Sequence, residues 1–158
     1  MSLSISKAAV EDIPDVLALQ KIAYLSEARL LGNYKIQPLM QTLGELESEY
    51  DNSLILKGVV EGNERRIIGS VRARKDASTV FVGKLMVHPE FQRKGFGSAL
   101  LTSIESFLPA SRYELFTSSE SKSNLTLYHN LGYKEFKREQ HPSGVELVFL
   151  EKLMTNDL

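Results

Sequence analysis

The stretch Gln92-Arg93-Lys94-Gly95-Phe96-Gly97-Ser98 holds a glutamine, two cations and two glycines one residue apart. An apolar, strand-like run from Thr79 to His88 leads into it, and Pro89 ends that run because proline has no N–H for a sheet ladder. Directly behind the glycines, Leu100, Leu101, Ile104, Phe107 and Leu108 recur at helical spacing. A strand, a glycine turn and a helix start in so short a span aim successive backbone N–H groups at one point, beside the positive end of a helix. That geometry suits a pyrophosphate. Glycines let the backbone approach such a ligand with no Cβ in the way. The competing reading is a tight strand-to-helix turn that binds nothing, and this hexamer alone does not separate the two.

Two familiar phosphate loops fit poorly. A P-loop needs Lys and then Ser or Thr straight after its last glycine, whereas Ser98-Ala99 follows Gly97. A dinucleotide fingerprint needs a third glycine where Leu100 stands, although Glu114 lies at about the right distance for a ribose contact. The pattern Gln/Arg-x-x-Gly-x-Gly/Ala is filled by Gln92, Gly95 and Gly97. A second cluster follows: Asn124 and Tyr128 are four apart, so they share one face of a short helix, which runs into Leu131-Gly132-Tyr133.

The elements that must carry these residues can be traced along the chain. Ser4 to Ala8 alternates like a strand, and Glu11-Asp12 opens a helix running to about Arg29, where Gly32-Asn33 breaks it. Pro38 reads as the first-turn residue of a second helix, Pro38 to Tyr50. Strands are expected at Leu54 to Glu61, Arg66 to Arg74 and Thr79 to His88, with a hairpin turn at Glu61-Gly62-Asn63-Glu64 and a bulge at Gly83. After the helix behind the glycine turn come a strand at Tyr113 to Thr117 and the short helix that Gly132 caps. Two last strands follow, at Tyr133 to Arg138 and Val145 to Glu151. The order β-αα-βββ-α-β-α-ββ describes one mixed α/β (α+β) domain over residues 1–158.

Composition excludes several classes. With 19 basic and 20 acidic side chains, the charge footprint of a general nucleic-acid binder is missing. There is no cysteine, hence no disulfide, thiolate metal site or covalent cysteine intermediate. The three histidines lack metal-ligand spacing with one another, so no metal is implied. No run is apolar and long enough for a signal peptide or a membrane span, and a cytoplasmic protein is expected.

Two signatures, VHPEFQRKGFG followed by a helix and the later N-x-x-x-Y-x-x-L-G-Y, resemble those of the GNAT superfamily of acetyl-CoA-dependent N-acetyltransferases. The resemblance spans nearly the whole chain. It implies a twisted, mostly antiparallel sheet of about seven strands, splayed between the fourth and fifth and flanked by four helices. It also implies acetyl-CoA as donor and a primary amine of a small molecule or peptide as acceptor. By resemblance, the CoA pyrophosphate meets amides within Gln92, Arg93, Lys94, Gly95, Phe96 and Gly97, with Ser98 at the helix start. Leu85, Met86 and Val87 line the pantetheine arm and acetyl carbonyl, and Asn124 contacts the cofactor. Tyr128 matches the residue that protonates the leaving thiolate. No nucleic-acid or membrane partner is implied, and the late strands could pair across a homodimer.

Direct attack of an amine on a thioester needs an oxyanion donor, and the Met86 N–H is the expected one. It also needs the amine deprotonated. For a lysine-like amine at pH 7 this costs about 4.6 kcal/mol, for an α-amine only about 1 kcal/mol. The strand Thr79 to His88 carries no carboxylate. Glu27, in the segment Tyr24-Leu25-Ser26-Glu27-Ala28, is the first candidate base, and Glu120 the second. His88 is expected to face away from the thioester. Tyr24, Glu27 and Tyr34, with Ile36 and Leu39, are expected on the acceptor side, and Glu45, Glu47 and Glu49 form either a cation-attracting stripe or a solvated helix face. The alternative function is an acetyl-CoA-binding sensor or partner module without catalysis. A nucleotide-binding or purely structural domain would require both signatures to be accidental.

Overall fold

Seven strands in the order β1-β2-β3-β4-β5-β7-β6 form the sheet in a computed structural model, which describes residues 2–62 and 66–154. The strands are β1 (Leu3–Lys7), β2 (Leu54–Val60), β3 (Ile67–Asp76), β4 (Thr79–Val87), β5 (Arg112–Ser118), β6 (Lys134–Gln140) and β7 (Glu146–Leu153). Every neighbouring pair is antiparallel except β4 and β5. That parallel pair holds for only three residues, Thr79–Arg112, Val80–Tyr113 and Phe81–Glu114, after which the strands diverge. The expected splay is therefore present. Two residues of the expected β2–β3 hairpin turn, Asn63 and Glu64, lie outside the described residues.

The helices are α1 (Ile13–Ala23), α2 (Leu25–Leu31), α3 (Gln37–Met40), α4 (Leu43–Asn52), α5 (Phe96–Phe107) and α6 (Lys122–Asn130). Four were expected, and the first two are each broken. Tyr24, at φ −86° and ψ 1°, turns the chain between α1 and α2, where no glycine or proline marks the junction. Gly32 then ends α2 in the left-handed conformation, as expected. Pro38 starts only a single turn. Gln41 is extended, and Thr42 begins α4 with a reciprocal cap: Glu45 N–H donates to Thr42 Oγ1 at 3.2 Å, and Thr42 N–H to Glu45 Oε1 at 2.8 Å.

The sheet buries a core on each face. One packs α5 and α6 through Leu100, Leu101, Ile104 and Tyr128 on Val71, Val80, Leu115 and Val148. The other packs Ile13, Val16, Leu19 and Leu46 of α1 and α4 on Ile55, Ile67 and Met86. Strand β3, covered on both faces, is buried without alternation from Ile67 to Ala73. No helix among the described residues is long and apolar enough to cross a membrane.

Candidate active site

The register between β3 and β4 slips between Ser70 and Arg72: Ser70 faces Met86 but Arg72 faces Gly83. One extra residue is thus accommodated on β4, and Lys84 adopts the left-handed conformation at φ 52°. The expected bulge is present, with the left-handed backbone one residue beyond Gly83. His88 N–H donates to the Ile68 carbonyl at 2.7 Å. Antiparallel alternation then makes Ser70 and Met86 a hydrogen-bonded pair, so the Met86 amide is turned to β3. Val87 turns its amide and carbonyl the other way, into the gap between β4 and β5. Its carbonyl accepts there from Gln92 Nε2 at 3.1 Å.

Beyond β4, Pro89–Phe91 forms one 3₁₀ turn, Arg93 (φ 63°) and Gly95 (φ 81°) are left-handed, and α5 begins at Phe96, two residues ahead of Ser98. No acidic residue or side-chain cap occupies the first turn of α5, so its N–H groups point outward unclaimed. Gly95 is needed for its backbone angle. A Cβ on Gly97 would meet only Leu127 Cδ2 at 3.5 Å, an ordinary contact, so packing within the chain does not require glycine there. An open cradle of amides with room before it fits a pyrophosphate group, and CoA fits the loop and the free edge of Val87 together. The side chains of Arg93 and Lys94 are exposed.

Two expected residues, Glu27 of α2 and Tyr128 of α6, come within electrostatic reach of each other. Ser121, at the start of α6, donates its hydroxyl to Glu27 Oε1 at 3.2 Å. Burial raises the Glu27 pKa, and the Ser121 hydroxyl only partly offsets it. Tyr128 is 6% exposed, and burial, followed by the nearby Glu27 charge, pushes its phenol well above the ordinary value. Tyr24 is raised in the same way, by burial first and then by Tyr128 and Glu27. Tyr24, Glu27 and Tyr128 are therefore electrostatic neighbours. Asn124 Nδ2 donates to Thr117 Oγ1 at 3.3 Å, tying α6 to the end of β5.

Other candidates lie elsewhere. Tyr34 is 57% exposed in the turn between α2 and α3, and Glu120 is exposed in the turn before α6. His88 Nδ1 accepts from Glu90 N–H at 3.1 Å, and its Nε2 lies 3.2 Å from Arg66 Nη2. The acidic stripe divides: Glu45 caps α4, Glu47 is exposed, and Glu49 accepts from Arg72 Nη1 at 2.9 and 3.2 Å. Arg72 went unnoticed in the sequence. It is 3% exposed, also donates to Gln20 and Gln41, and leaves its Nε without a partner. Its signal in the sequence is weak: Arg72 lies between Val71 and Ala73 on a strand whose later residues, Arg74 to Asp76, are charged as well.

Residues 45–154 match the model of the acetyltransferase (GNAT) domain family. A curated relative, the Bacillus subtilis UPF0157 protein YqkA, is 24% identical over 134 residues, 84% of this chain but 38% of that protein's length. The fold superimposes on the PaiA N-acetyltransferase of Thermoplasma acidophilum in complex with coenzyme A, with a TM-score of 0.78, 18% identity and coverage of 98% and 100% of the two chains. It also superimposes on the ribosomal-protein-S18-alanine N-acetyltransferase of Escherichia coli, at TM-score 0.80, 15% identity and coverage of 99% and 96%. With the family model spanning most of the chain, from α4 to the last strand, this chain belongs to the GNAT acetyltransferase domain family.

Proposed function

We propose that the chain transfers the acetyl group of acetyl-CoA to a primary amine of a small molecule or peptide, by direct attack within a ternary complex. The observation that carries this reading is the neighbourhood of a half-buried carboxylate, Glu27, and the buried phenol of Tyr128, in a fold whose fourth strand leads into an amide-lined loop. Acetyl-CoA, when bound, supplies an activated thioester carbonyl. The amides from Gln92 to Ser98 and the edge of Leu85 and Val87 hold the donor, with Asn124 beside them. Because the Met86 amide is engaged with β3, the oxyanion donor falls to its neighbours Val87 and Leu85.

Glu27 accepts the proton of the attacking ammonium, and its raised pKa makes it the stronger base for that step. Ser121 holds the carboxylate in one orientation. Tyr128 stays protonated across the physiological range and donates to the departing sulfur as negative charge builds there. The new N–C bond forms and the C–S bond breaks with two protons leaving the nitrogen: the first goes to Glu27 before attack, and the second, from the adduct, restores the Tyr128 phenol after it has protonated the departing sulfur. Tyr24 lies on the acceptor side of this pair.

The test is release of the CoA thiol from acetyl-CoA, read with a thiol reagent across polyamines, aminoglycosides, amino acids and peptide N-termini. The chain has no cysteine to react with the reagent. Release with one amine class supports acetyl transfer. Silence across the panel, with acetyl-CoA still raising the melting temperature, would instead identify a binding module without catalysis.

A further inference from the structure

A cleft of about 450 Å³ opens where β4 and β5 diverge, bounded by Glu49, Arg72 and Lys84 on one side and Glu114, Phe116 and Phe149 on the other. Its acids are answered: Glu49 pairs with Arg72 at 2.9 Å, and Glu114 with Arg112 at 2.9 Å. Of its cations, only Arg72 is paired. Lys84 forms no ion pair among the described residues, and the buried Nε of Arg72 has no acceptor. Burial first, and then the Arg72 charge, lower the Lys84 pKa against a smaller opposing effect of Glu49. Lys84 is also left-handed, at φ 52°, a conformation that strains any residue but glycine and asparagine-like side chains. A half-buried lysine with no ion-pair partner of its own, beside a Glu49 already engaged by Arg72, suits an anionic ligand.

Position along β4 decides which molecule brings that anion. The amide-lined loop lies beyond Val87 toward the C-terminus, whereas Lys84 lies three residues before Val87, about 10 Å back along the strand. A donor held from the loop along the edge of Val87 and Leu85 therefore reaches the cleft at its Lys84 end, and the acceptor enters from the cleft beyond. The cleft joins the proposed transfer centre, because the Arg72 and Glu49 charges both act on Tyr24. Phe116 and Phe149, with ring centroids 5.3 Å apart, supply an apolar wall, and Phe116 is 56% exposed.

We propose that the acceptor is an amino carboxylate, with its carboxylate held by Lys84 and its apolar part against Phe116 and Phe149. This rests on the acetyl-transfer reading above.

The experiment compares phenylalanine with phenylalaninamide, and leucine with leucinamide, as acceptors in the thiol-release assay. Each amide has the less basic amine, so intrinsic reactivity near neutral pH favours the amide. The expected kcat/KM is at least tenfold higher for the acids. Lys84→Met should cut that acid-over-amide ratio roughly tenfold or more, and Lys84→Arg should retain most of it. Lys84→Gly, which relieves the left-handed backbone, serves in place of Lys84→Met should the latter not fold. Amides accepted as well as acids by the native protein, or a ratio indifferent to removal of the ammonium, would overturn the proposal. If the native protein acetylates no amine, the transfer reading fails separately. Binding of N-acetylphenylalanine against N-acetylphenylalaninamide in the presence of CoA then decides. A tenfold preference for the acid that Lys84→Met abolishes supports the anion site, and equal binding overturns it.

Discussion

Replacing Glu27 by glutamine removes the proposed proton acceptor while keeping the shape and the Ser121 hydrogen bond, in which the amide oxygen still accepts. On the proposed mechanism, the native protein binds the ammonium form and passes its proton to Glu27. The variant must wait for amine already neutral in solution. At pH 7 that fraction is about one in ten for an α-amine and roughly one in 2,500 for a lysine-like amine. Glu27→Gln is therefore expected to lower kcat/KM by about tenfold for the first and on the order of 10³-fold for the second. The deficit should shrink tenfold for each pH unit gained until the amine's own pKa is reached. In the native enzyme the rate should fall on the acid side as Glu27 protonates, at a pH above the usual carboxylate range because burial raises its pKa. That limb should vanish in the variant. The same raised pKa contributes stability that is present below the unfolded value and lost as pH rises through the folded one, so at pH 7 the glutamine variant should melt no lower than the native protein. Steady-state kinetics from pH 5 to 10, with acceptors of two basicities, make the measurement. A deficit that is constant with pH and equal for both amines would refute Glu27 as the base.

Three further outcomes are expected. Tyr128→Phe should lower kcat by about 10²-fold while leaving the KM for acetyl-CoA within a few fold, and retention of half the native kcat would exclude the acid role. Arg72→Met leaves Glu49 without its partner beside a buried site, and urea unfolding should show a loss of about 3 kcal/mol, the lower end of the range because Glu49 keeps 29% of its side chain exposed; a loss under about 1 kcal/mol would show that the pair is solvated. Gly95→Ala should destabilise by about 1 kcal/mol because its φ is 81°, whereas Gly97→Ala, in right-handed helix with only Leu127 nearby, should stabilise by about 0.5 kcal/mol; thermal unfolding of the two separates backbone strain from glycine's ligand-facing role.

Much of the fold is legible in the sequence because its signals are local. The Thr79–His88 strand, the glycine turn and the α5 stripe each rest on contacts within a few residues, and all three stand where expected. The α3–α4 junction was equally local, since Thr42 and Glu45 spell a capping box, yet Pro38 drew the helix start forward. The α1–α2 break had no such mark. Tyr24 leaves the helix without glycine or proline, and α1 buries Ile13, Val16, Leu19 and Gln20 while α2 buries only Ala28.

The site divides along the same line. Residue types and spacing singled out the amide loop and Asn124 with Tyr128, and the family resemblance pointed to Glu27, each as a separate piece. Tertiary structure decided which of them meet. Glu27 and Ser121 touch across 94 positions, and Arg72 joins Glu49, 23 positions away, to Gln20, 52 positions away. Such contacts depend on sheet register and on the angle at which a helix crosses the sheet, and neither leaves a trace in nearby residues. The turn from Gln92 to Ser98 is a property of its own backbone and can be read from the chain alone. The acidic stripe on α4 could not be divided into a cap, a solvated residue and a buried ion pair until β3 had brought Arg72 beneath it.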